Sequence, residues 1–139
     1  MPVSRSSKKR VSVKSSVKSP YHGKTVLVVD DSNISRLMLK AMIEAICGSL
    51  EVYEARDGEE AIRMMKRYQP DLVTLDEEMP ILNGLDAVPQ LKAANPNGRI
   101  VLITSHKEEE VMVKVKELAI EYVAKPITES KVISLLNDA

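Results

Sequence analysis

Several positions in this 139-residue sequence bring acids, a hydroxyl and an amine to places where metal and phosphate chemistry could occur. Asp30-Asp31, Asp76, Thr104 and Lys125 each directly follow a short apolar run. No His or Cys accompanies the acids, so their oxygen ligands favour Mg²⁺ over zinc. Two carboxylates about 4 Å apart repel by ~4 kcal/mol at an effective dielectric of about 20, so such a cluster needs a cation. Three acids balanced by Mg²⁺ and one lysine could accept a phosphoryl group.

The apolar runs before these residues predict the strands that position them. Continuous apolar runs are typical of parallel strands covered on both faces, and an alternating run is typical of an edge strand. The continuous runs are Val26–Val29, Leu72–Leu75, Ile100–Ile103 and Tyr122–Ala124, and the alternating run is Val52–Ala55. Helix-length segments separate the runs, which predicts right-handed βαβ crossovers and an α/β, doubly wound sheet. Ligands of such sheets bind at the carboxyl ends of the strands.

Helical periodicity supplies the connecting segments. In the first helix one apolar stripe dominates and is expected to face the core rather than a partner, with Leu39 and Ile43 off the stripe. The stripe consists of Ile34, Leu37, Met38, Ala41, Met42, Ala45 and Ile46. Asp30 or Asp31 could simply cap this helix, since Asp is a favoured N-cap residue. Cys47, at its end, is expected to be a buried free thiol.

The other four helices carry weaker signals. Asp57 with Glu60 predicts a capping box for a second helix that runs through Tyr68. The third is expected over Gly84–Ala94, bent or shortened by Pro89. The fourth is expected over Glu108–Ala119, with Val111, Met112, Val115, Leu118 and Ala119 on one stripe. Thr128 is expected to cap the fifth, where Val132, Ile133, Leu135 and Leu136 face inward.

Composition limits the class of protein. Apolar residues make up 44% of the chain and aromatic residues 3%, which disfavours an aromatic platform for single-stranded nucleic acid. No apolar run could span a membrane, so a cytoplasmic protein is expected. Seven of the 20 Lys and Arg residues lie in residues 1–24, which contain no acid, so 13 remain beside all 20 acidic residues. We therefore expect a disordered basic tail over residues 1–23 and an acidic domain over residues 24–139.

The residues after the strands resemble those of the response-regulator receiver domain, stand-alone chemotaxis type. The resemblance rests on Asp30-Asp31-Ser32, Asp76-Glu77-Glu78-Met79-Pro80 with Asn83-Gly84, Thr104-Ser105, and Tyr122-Val123-Ala124-Lys125-Pro126. These four motifs stand in order at strand spacing over about five-sixths of the chain. The resemblance implies a flavodoxin-like fold with five helices and five parallel strands in the order 2-1-3-4-5.

The resemblance also implies a role for each matching residue. Asp76 would be the phosphoacceptor. Mg²⁺ would be held by Asp30, Asp31, Asp76 and the backbone carbonyl of Glu78. Lys125 would contact the phosphoryl oxygens, with a cis peptide bond before Pro126. Thr104 would donate its hydroxyl to the phosphoryl group, and Tyr122 would then turn inward.

Two features depart from the usual receiver pattern. Glu78 and His106 occupy positions that border the phosphoryl group, and we hypothesise that they interact across the site and modulate the lifetime of the phosphate. The alternative is two solvated side chains. The fourth helix ends in Glu117-Leu118-Ala119-Ile120 without a glycine, so we expect it to close without a left-handed residue. This makes the role of Tyr122 less certain than that of the acids, and core filler is the alternative for its ring.

The predicted partners are a sensor histidine kinase and a target on the surface of the fourth helix, fifth strand and fifth helix, with a phosphatase as a further candidate. We expect no DNA-binding domain. We expect the protein to be a monomer or a weak dimer. Because no output domain follows Ala139, the conformational change is expected to be the output. The basic tail is a flexible leader or an electrostatic attachment to an acidic partner.

Three other functions compete with a chemotaxis switch. A phosphorelay intermediate would pass the phosphate on. An aspartyl-phosphate phosphatase usually has a second Asp two residues after the nucleophile, where Glu78 stands here, so we predict no enzyme beyond self-phosphorylation and self-dephosphorylation. A phosphate-independent scaffold would not need the complete set of acids with Thr104 and Lys125.

Overall fold

The computed structural model describes residues 20–79 and 82–137. Their centre is a parallel sheet of five strands in the order β2-β1-β3-β4-β5, which confirms the predicted topology. The strands are β1 (Thr25–Val29), β2 (Glu51–Ala55), β3 (Leu72–Asp76), β4 (Arg99–Thr104) and β5 (Glu121–Ala124). β1, β3 and β4 are almost wholly buried, as expected of inner strands covered on both faces, whereas β2 is a half-exposed edge strand.

Five helices cover the two faces of the sheet. They are α1 (Asn33–Ile46), α2 (Gly58–Tyr68), α3 (Gly84–Ala94), α4 (Glu109–Glu117) and α5 (Glu129–Asn137). α1 and α5 pack on one face, over a core that contains Val26, Val28 and the free, buried thiol of Cys47. α2, α3 and α4 pack on the other, over a core that contains Leu27 and Val29. Since successive strand residues point to opposite faces, continuous apolar strands fill both cores.

Capping side chains fix where the helices begin. Asp57 accepts a hydrogen bond from the backbone N–H of Glu60 at 2.8 Å, and the Glu60 carboxylate accepts one from the N–H of Arg56 at 2.7 Å. Thr128 accepts one from the N–H of Lys131 at 3.3 Å. These contacts confirm the predicted caps of α2 and α5.

The predicted core face of α1 was wrong for most of its length, although Met42 and Ile46 of the predicted stripe do pack on the core. Ile34, Leu37 and Met38 are 71%, 66% and 55% exposed, while Ile43, predicted to lie off the stripe, is fully buried. The buried side of the helix follows a second spacing of i, i+3, i+4 and i+7, formed by Leu39, Met42, Ile43 and Ile46. α1 is apolar on two sides, so periodicity alone could not decide which side faces the sheet.

The expected end of α4 was also wrong, whereas α3 has the predicted bounds. α3 runs over its full predicted length with Pro89 inside it, so the proline does not shorten it. α4 does end on a left-handed residue, because Ala119 has φ of 56°. The N–H groups of Ala119 and Ile120 donate to the carbonyls of Lys116 at 3.1 Å and Val115 at 3.2 Å, which is the Schellman pattern. The carbonyls are thereby satisfied at the cost of steric strain that a glycine would avoid.

The segment just before β1 also packs on the sheet. Tyr21 is buried against the α1–α5 side of the sheet, and its hydroxyl accepts a hydrogen bond from Arg99 at 3.0 Å. Tyr21 therefore contributes to this core although it lies in the range predicted as tail. The rest of the predicted tail, residues 1–19, lies outside the described residues. Within the described ranges, each helix is too short or too polar to cross a bilayer.

Candidate functional site

Asp30 and Asp31 follow β1 in a loop that several hydrogen bonds hold in place. The backbone N–H of Asp30 donates to the carbonyl of Ala55 at 3.1 Å, and the buried guanidinium of Arg36 donates to the carbonyl of Asp30 at 2.6 Å. The Asp30 carboxylate accepts from the N–H of Ser32 at 2.9 Å. Ser32, rather than either Asp, caps α1. The capping explanation for the two acids was thus wrong, and Asp31 is exposed.

Asp76 is the last residue of β3 and is only 4% exposed. The Lys125 ammonium lies 2.7 Å from its Oδ1. Within the described chain, the Lys125 ammonium is the one donor close to this buried oxygen, which has a second lone pair. Oδ1 therefore retains the capacity to bind a further positive group.

The three acids converge as the sequence analysis predicts. Ligand atoms of Asp30, Asp31 and Asp76 all lie within 4.8 Å of one another. Burial raises the pKa of Asp76 and of Asp30, and in each case neighbouring acids add to the effect while Lys125 opposes it. Burial alone would lower the pKa of Lys125, but its contact with Asp76 and the other carboxylates raises it. One ammonium does not neutralise three acids, and an all-oxygen ligand set fits Mg²⁺.

Lys125 reaches the cluster from the other side of the site. It follows β5 directly, and its backbone N–H donates to the carbonyl of Thr104 at 2.9 Å. The peptide bond between Lys125 and Pro126 is cis, as predicted. The Lys125 side chain remains 36% exposed, so the ammonium is open to an incoming group as well as to Asp76.

Thr104 ends β4, and its hydroxyl is occupied by a residue that sequence reasoning missed. Thr104 Oγ1 donates to Oε1 of Glu77 at 2.5 Å and accepts from the backbone N–H of His106 at 2.9 Å. The sequence motif around Asp76 contains Glu77 but assigns it no role. Its position directly after the predicted phosphoacceptor was the one feature that could have indicated a role in the site.

The structure places Glu78 and His106 in contact across the mouth of the site. His106 Nε2 contacts Oε2 of Glu78, and His106 Nδ1 lies 3.3 Å from Oε1 of Glu108. These hydrogen bonds, first that of Glu78 and then that of Glu108, raise the pKa of His106 to about 9. The bond with His106 lowers the pKa of Glu78. The imidazole is therefore positively charged at neutral pH and bridges two acids, unlike two independent solvated side chains.

Tyr122 lies in β5 with its ring pointing outward, 45% exposed. Val113 on α4 is similarly exposed, at 46%. The core-filler alternative for Tyr122 is wrong for this conformation, since the ring lies on the surface.

An apolar cleft of about 540 Å³ opens beside the acids. Asp30, Asp76 and Lys125 form its polar end. Its apolar wall comes from α1 and from the segment after β5, and consists of Met38, Leu39, Met42, Pro126 and Ile127.

Fold and site together define a doubly wound α/β protein with an acidic, Mg²⁺-type centre at the carboxyl ends of its strands. The sequence model of the response regulator receiver domain matches residues 26–137. The chain belongs to the response regulator receiver domain family, which places it in two-component signalling.

Curated relatives include small chemotaxis proteins. The chain is 35% identical over 116 residues to the chemotaxis protein CheY of Thermotoga maritima, covering 83% of this chain and 96% of the relative. It is 38% identical over 117 residues to the CheY of Halobacterium salinarum, covering 83% and 95%.

Solved structures support the same fold. The response regulator domain of Thermotoga maritima CheB superposes with a TM-score of 0.70 at 30% identity, over 81% of this chain and 90% of that one. CheY in the CheX-CheY-BeF3-Mg+2 complex of Borrelia burgdorferi superposes with a TM-score of 0.72 at 26% identity, over 80% and 84%.

Proposed function

We propose that this protein is a phosphorylation switch in which Asp76 accepts a phosphoryl group from a histidine kinase and the altered surface controls a protein partner in chemotaxis or motility. The observation that carries the proposal is the buried Asp76 carboxylate, which lies 2.7 Å from Lys125 and shares a cluster, with ligand atoms within 4.8 Å, with Asp30 and Asp31. Three acids facing one lysine at a buried position repel one another, so the cluster favours binding of a further cation. The CheY relatives supply the proposed pathway.

The proposed reaction is an in-line displacement at phosphorus. An oxygen of the Asp76 carboxylate attacks the phosphorus of a phosphohistidine, a new O–P bond forms, and the P–N bond breaks with its electron pair leaving on the imidazole. Lys125 is close enough to contact the phosphoryl oxygens from its present position. The chain acts on itself, so we assign it no separate substrate.

The residues that would hold Mg²⁺ are Asp30, Asp31, Asp76 and the backbone carbonyl of Glu78. When bound, the ion would neutralise charge on the phosphoryl oxygens. Arg36 and Ser32 hold the loop that carries Asp30 and Asp31, so those acids need little reordering to bind a cation.

The exposed stripe of α1 supports a docking role for this helix toward the phosphodonor. Ile34, Leu37 and Met38 present an apolar surface, and Met38 also lines the cleft that leads to Asp76. A helical surface of the kinase system that covered this stripe could bring its phosphohistidine to the open end of the site.

The proposed output runs from Thr104 to the face formed by α4, β5 and α5. A phosphoryl group adds nearly two negative charges and three acceptor oxygens, and so stabilises the state that brings Thr104 and Lys125 to it. Movement of Thr104 would leave space for Tyr122 to turn inward from its exposed position. The domain proposed to carry this switch is residues 24–139, and the basic segment of residues 1–23 would act as a leader or an attachment segment.

Glu78 and His106 are proposed to set the lifetime of the phosphate. Their contact joins the segment that follows Asp76 to the segment that follows Thr104, and we propose that it limits the approach of water to the phosphoryl group. Removing either side chain should change the rate of dephosphorylation, and unchanged rates in both Glu78→Ala and His106→Ala would refute this role.

Intact mass spectrometry after incubation with Mg²⁺ and acetyl phosphate tests the proposed function. We expect one added phosphoryl group in the wild type, none in Asp76→Asn, and the normal addition in Asp86→Asn, a matched change on the exposed start of α3. Chelation of Mg²⁺ should prevent the addition. A phosphoryl group that persisted in Asp76→Asn would contradict the assignment of the acceptor.

A further inference from the structure

The Thr104 hydroxyl, which is 1% exposed, is committed to Glu77 in this structure. It donates to the Glu77 carboxylate at 2.5 Å, a distance typical of a charge-assisted O–H···O⁻ bond. Among the described residues, the other acceptor in reach is the carbonyl of His106 at 3.4 Å, too far to compete. Since a threonine hydroxyl has one hydrogen, it can serve one acceptor at a time.

The backbone of Glu77 is fixed in the position that makes this contact. Its N–H donates to the carbonyl of Ile103 at 3.1 Å, and its carbonyl accepts from the N–H of Gly84 at 2.9 Å. A Cβ at position 84 would overlap the carbonyl of Asp76, so the glycine allows α3 to begin against this segment. The Glu77 carboxylate is thus held between the two strands that end in Asp76 and Thr104.

We propose that Glu77 is a positioning residue that holds the Thr104 hydroxyl away from Asp76 at rest and thereby lowers the affinity of the site for a phosphoryl group. The inference rests on the proposed function, because it needs a phosphoryl group to compete with. Glu77 and the phosphorylated Asp76 would require the same hydrogen at the same time. Phosphorylation must therefore break the Thr104–Glu77 bond before Thr104 can move.

The first consequence is measurable without phosphorylation chemistry. BeF₃⁻ bound to the Asp76 carboxylate in the presence of Mg²⁺ imitates the phosphoryl group, and ¹⁹F NMR titration gives its dissociation constant. Loss of one hydrogen bond to a charged group corresponds to an affinity change of about tenfold. We expect Glu77→Ala to bind BeF₃⁻ about tenfold more tightly than the wild type by the same reasoning.

Two further variants separate the hydrogen bond from simple charge repulsion. Glu77→Gln removes the charge but keeps an acceptor oxygen, so its affinity should lie between those of the wild type and Glu77→Ala. It also replaces Glu77→Ala if the alanine variant does not fold. In a Thr104→Val background, which has no hydroxyl to hold, Glu77→Ala should change the affinity by less than about twofold. Equal tightening in both backgrounds would show that only charge is involved and would overturn the proposal.

A second readout needs neither Mg²⁺ nor BeF₃⁻. The sequence has four threonines, so methyl-labelled threonine gives four NMR signals, and Thr104→Val identifies the one from Thr104. In unligated Glu77→Ala that signal should shift toward its position in the BeF₃⁻ complex. A signal that stayed at the wild-type position would contradict the positioning role.

The two proposals can fail separately. If the wild type binds BeF₃⁻ and Glu77→Ala binds it with the same or lower affinity, the role of Glu77 is overturned and the proposed function stands. If none of the variants, including the wild type, binds BeF₃⁻ in Mg²⁺, the proposed function is overturned and the role of Glu77 falls with it.

Discussion

The two ends of the sheet both carry charged residues, but only one end neutralises them. At the amino ends of the strands, Arg99 donates to the two carboxylate oxygens of Glu121 at 2.7 and 2.6 Å and to the carbonyl of Leu135 at 2.8 Å. Its guanidinium lowers the pKa of Glu121. At the carboxyl ends, burial raises the pKa of Asp30 and Asp76, and a single lysine faces three acids.

The difference separates stability from function. The Arg99–Glu121 pair is satisfied within the fold, so its charges stabilise the protein without any ligand. The acidic cluster has too little positive charge within the fold, so it can bind a cation. The bound cation then makes room for the negative charge of a phosphoryl group. Charged residues therefore stabilise the fold at the amino ends of the strands and can bind ligands at the carboxyl ends, because the acids at the carboxyl ends outnumber their basic partner.

The largest expected effect is a loss of stability when Arg99, at the amino ends of the strands, is removed. Arg99→Leu removes the hydrogen bonds to Glu121, Tyr21 and Leu135, and should lower the free energy of unfolding by about 3 kcal/mol. Arg63→Leu, at an exposed position on α2, is the control and should change it by less than ~0.5 kcal/mol. Urea unfolding measures both. A loss in Arg99→Leu no larger than the control would mean that this end is not the stabilising one.

A smaller effect is expected where the amino end carries strain. Ala119 takes a left-handed conformation that costs an alanine about 1 kcal/mol, and this cost disappears in glycine. Ala119→Gly should therefore raise the free energy of unfolding by up to about 0.5 kcal/mol, because the greater freedom of glycine in the unfolded chain offsets part of the relieved strain. Affinity for BeF₃⁻ should not change, since the strain lies at the end of the sheet opposite the acids. A destabilised Ala119→Gly would contradict the strain argument.

The smallest effect concerns the rim of the carboxyl end, where charges are paired. His106 has a pKa of about 9 because of its bonds to Glu78 and Glu108. Since the folded pKa lies above the unfolded value, the stability that the bridge contributes is fully present below pH ~6.5 and is lost as the pH rises through about 9. NMR titration of His106 in Mg²⁺-free buffer should show this midpoint, and Glu78→Gln should move it toward ~6.5. An identical midpoint in the variant would mean that Glu78 does not hold the imidazole.

The sequence predicted the strands and the position of the site well, and for a physical reason. Inner parallel strands buried on both faces are mostly apolar, so the ends of β1, β3 and β4 are visible as Asp30, Asp76 and Thr104, although Thr74 lies within β3. β5 is an exposed edge strand, and its end at Lys125 followed from the motif rather than from burial. Because all carboxyl ends of a parallel sheet lie at one edge, their convergence follows from the topology alone.

What the sequence could not predict depended on choices between similar local patterns. α1 has two apolar stripes, and only packing against β1 and α5 selects the one with Ile43. Tertiary contacts of the α4–β5 connection stabilise the left-handed conformation of Ala119, and local helix propensity does not predict such contacts. The Thr104–Glu77 bond joins residues 27 positions apart whose side-chain directions follow only from the register of β3 and β4.

The most direct test of the under-neutralised cluster is the free energy of unfolding at pH 7 with EDTA and with Mg²⁺. Without metal, Asp76→Asn removes the repulsion between Asp76 and the two acids Asp30 and Asp31, and it loses one contact with Lys125. The first effect is larger, so the variant should be more stable than the wild type by about 1–2 kcal/mol. Mg²⁺ at 100 times its dissociation constant should stabilise the wild type by about 2.7 kcal/mol, and Asp76→Asn much less. A wild type that is insensitive to Mg²⁺, together with an Asp76→Asn protein less stable than it in EDTA, would contradict the account.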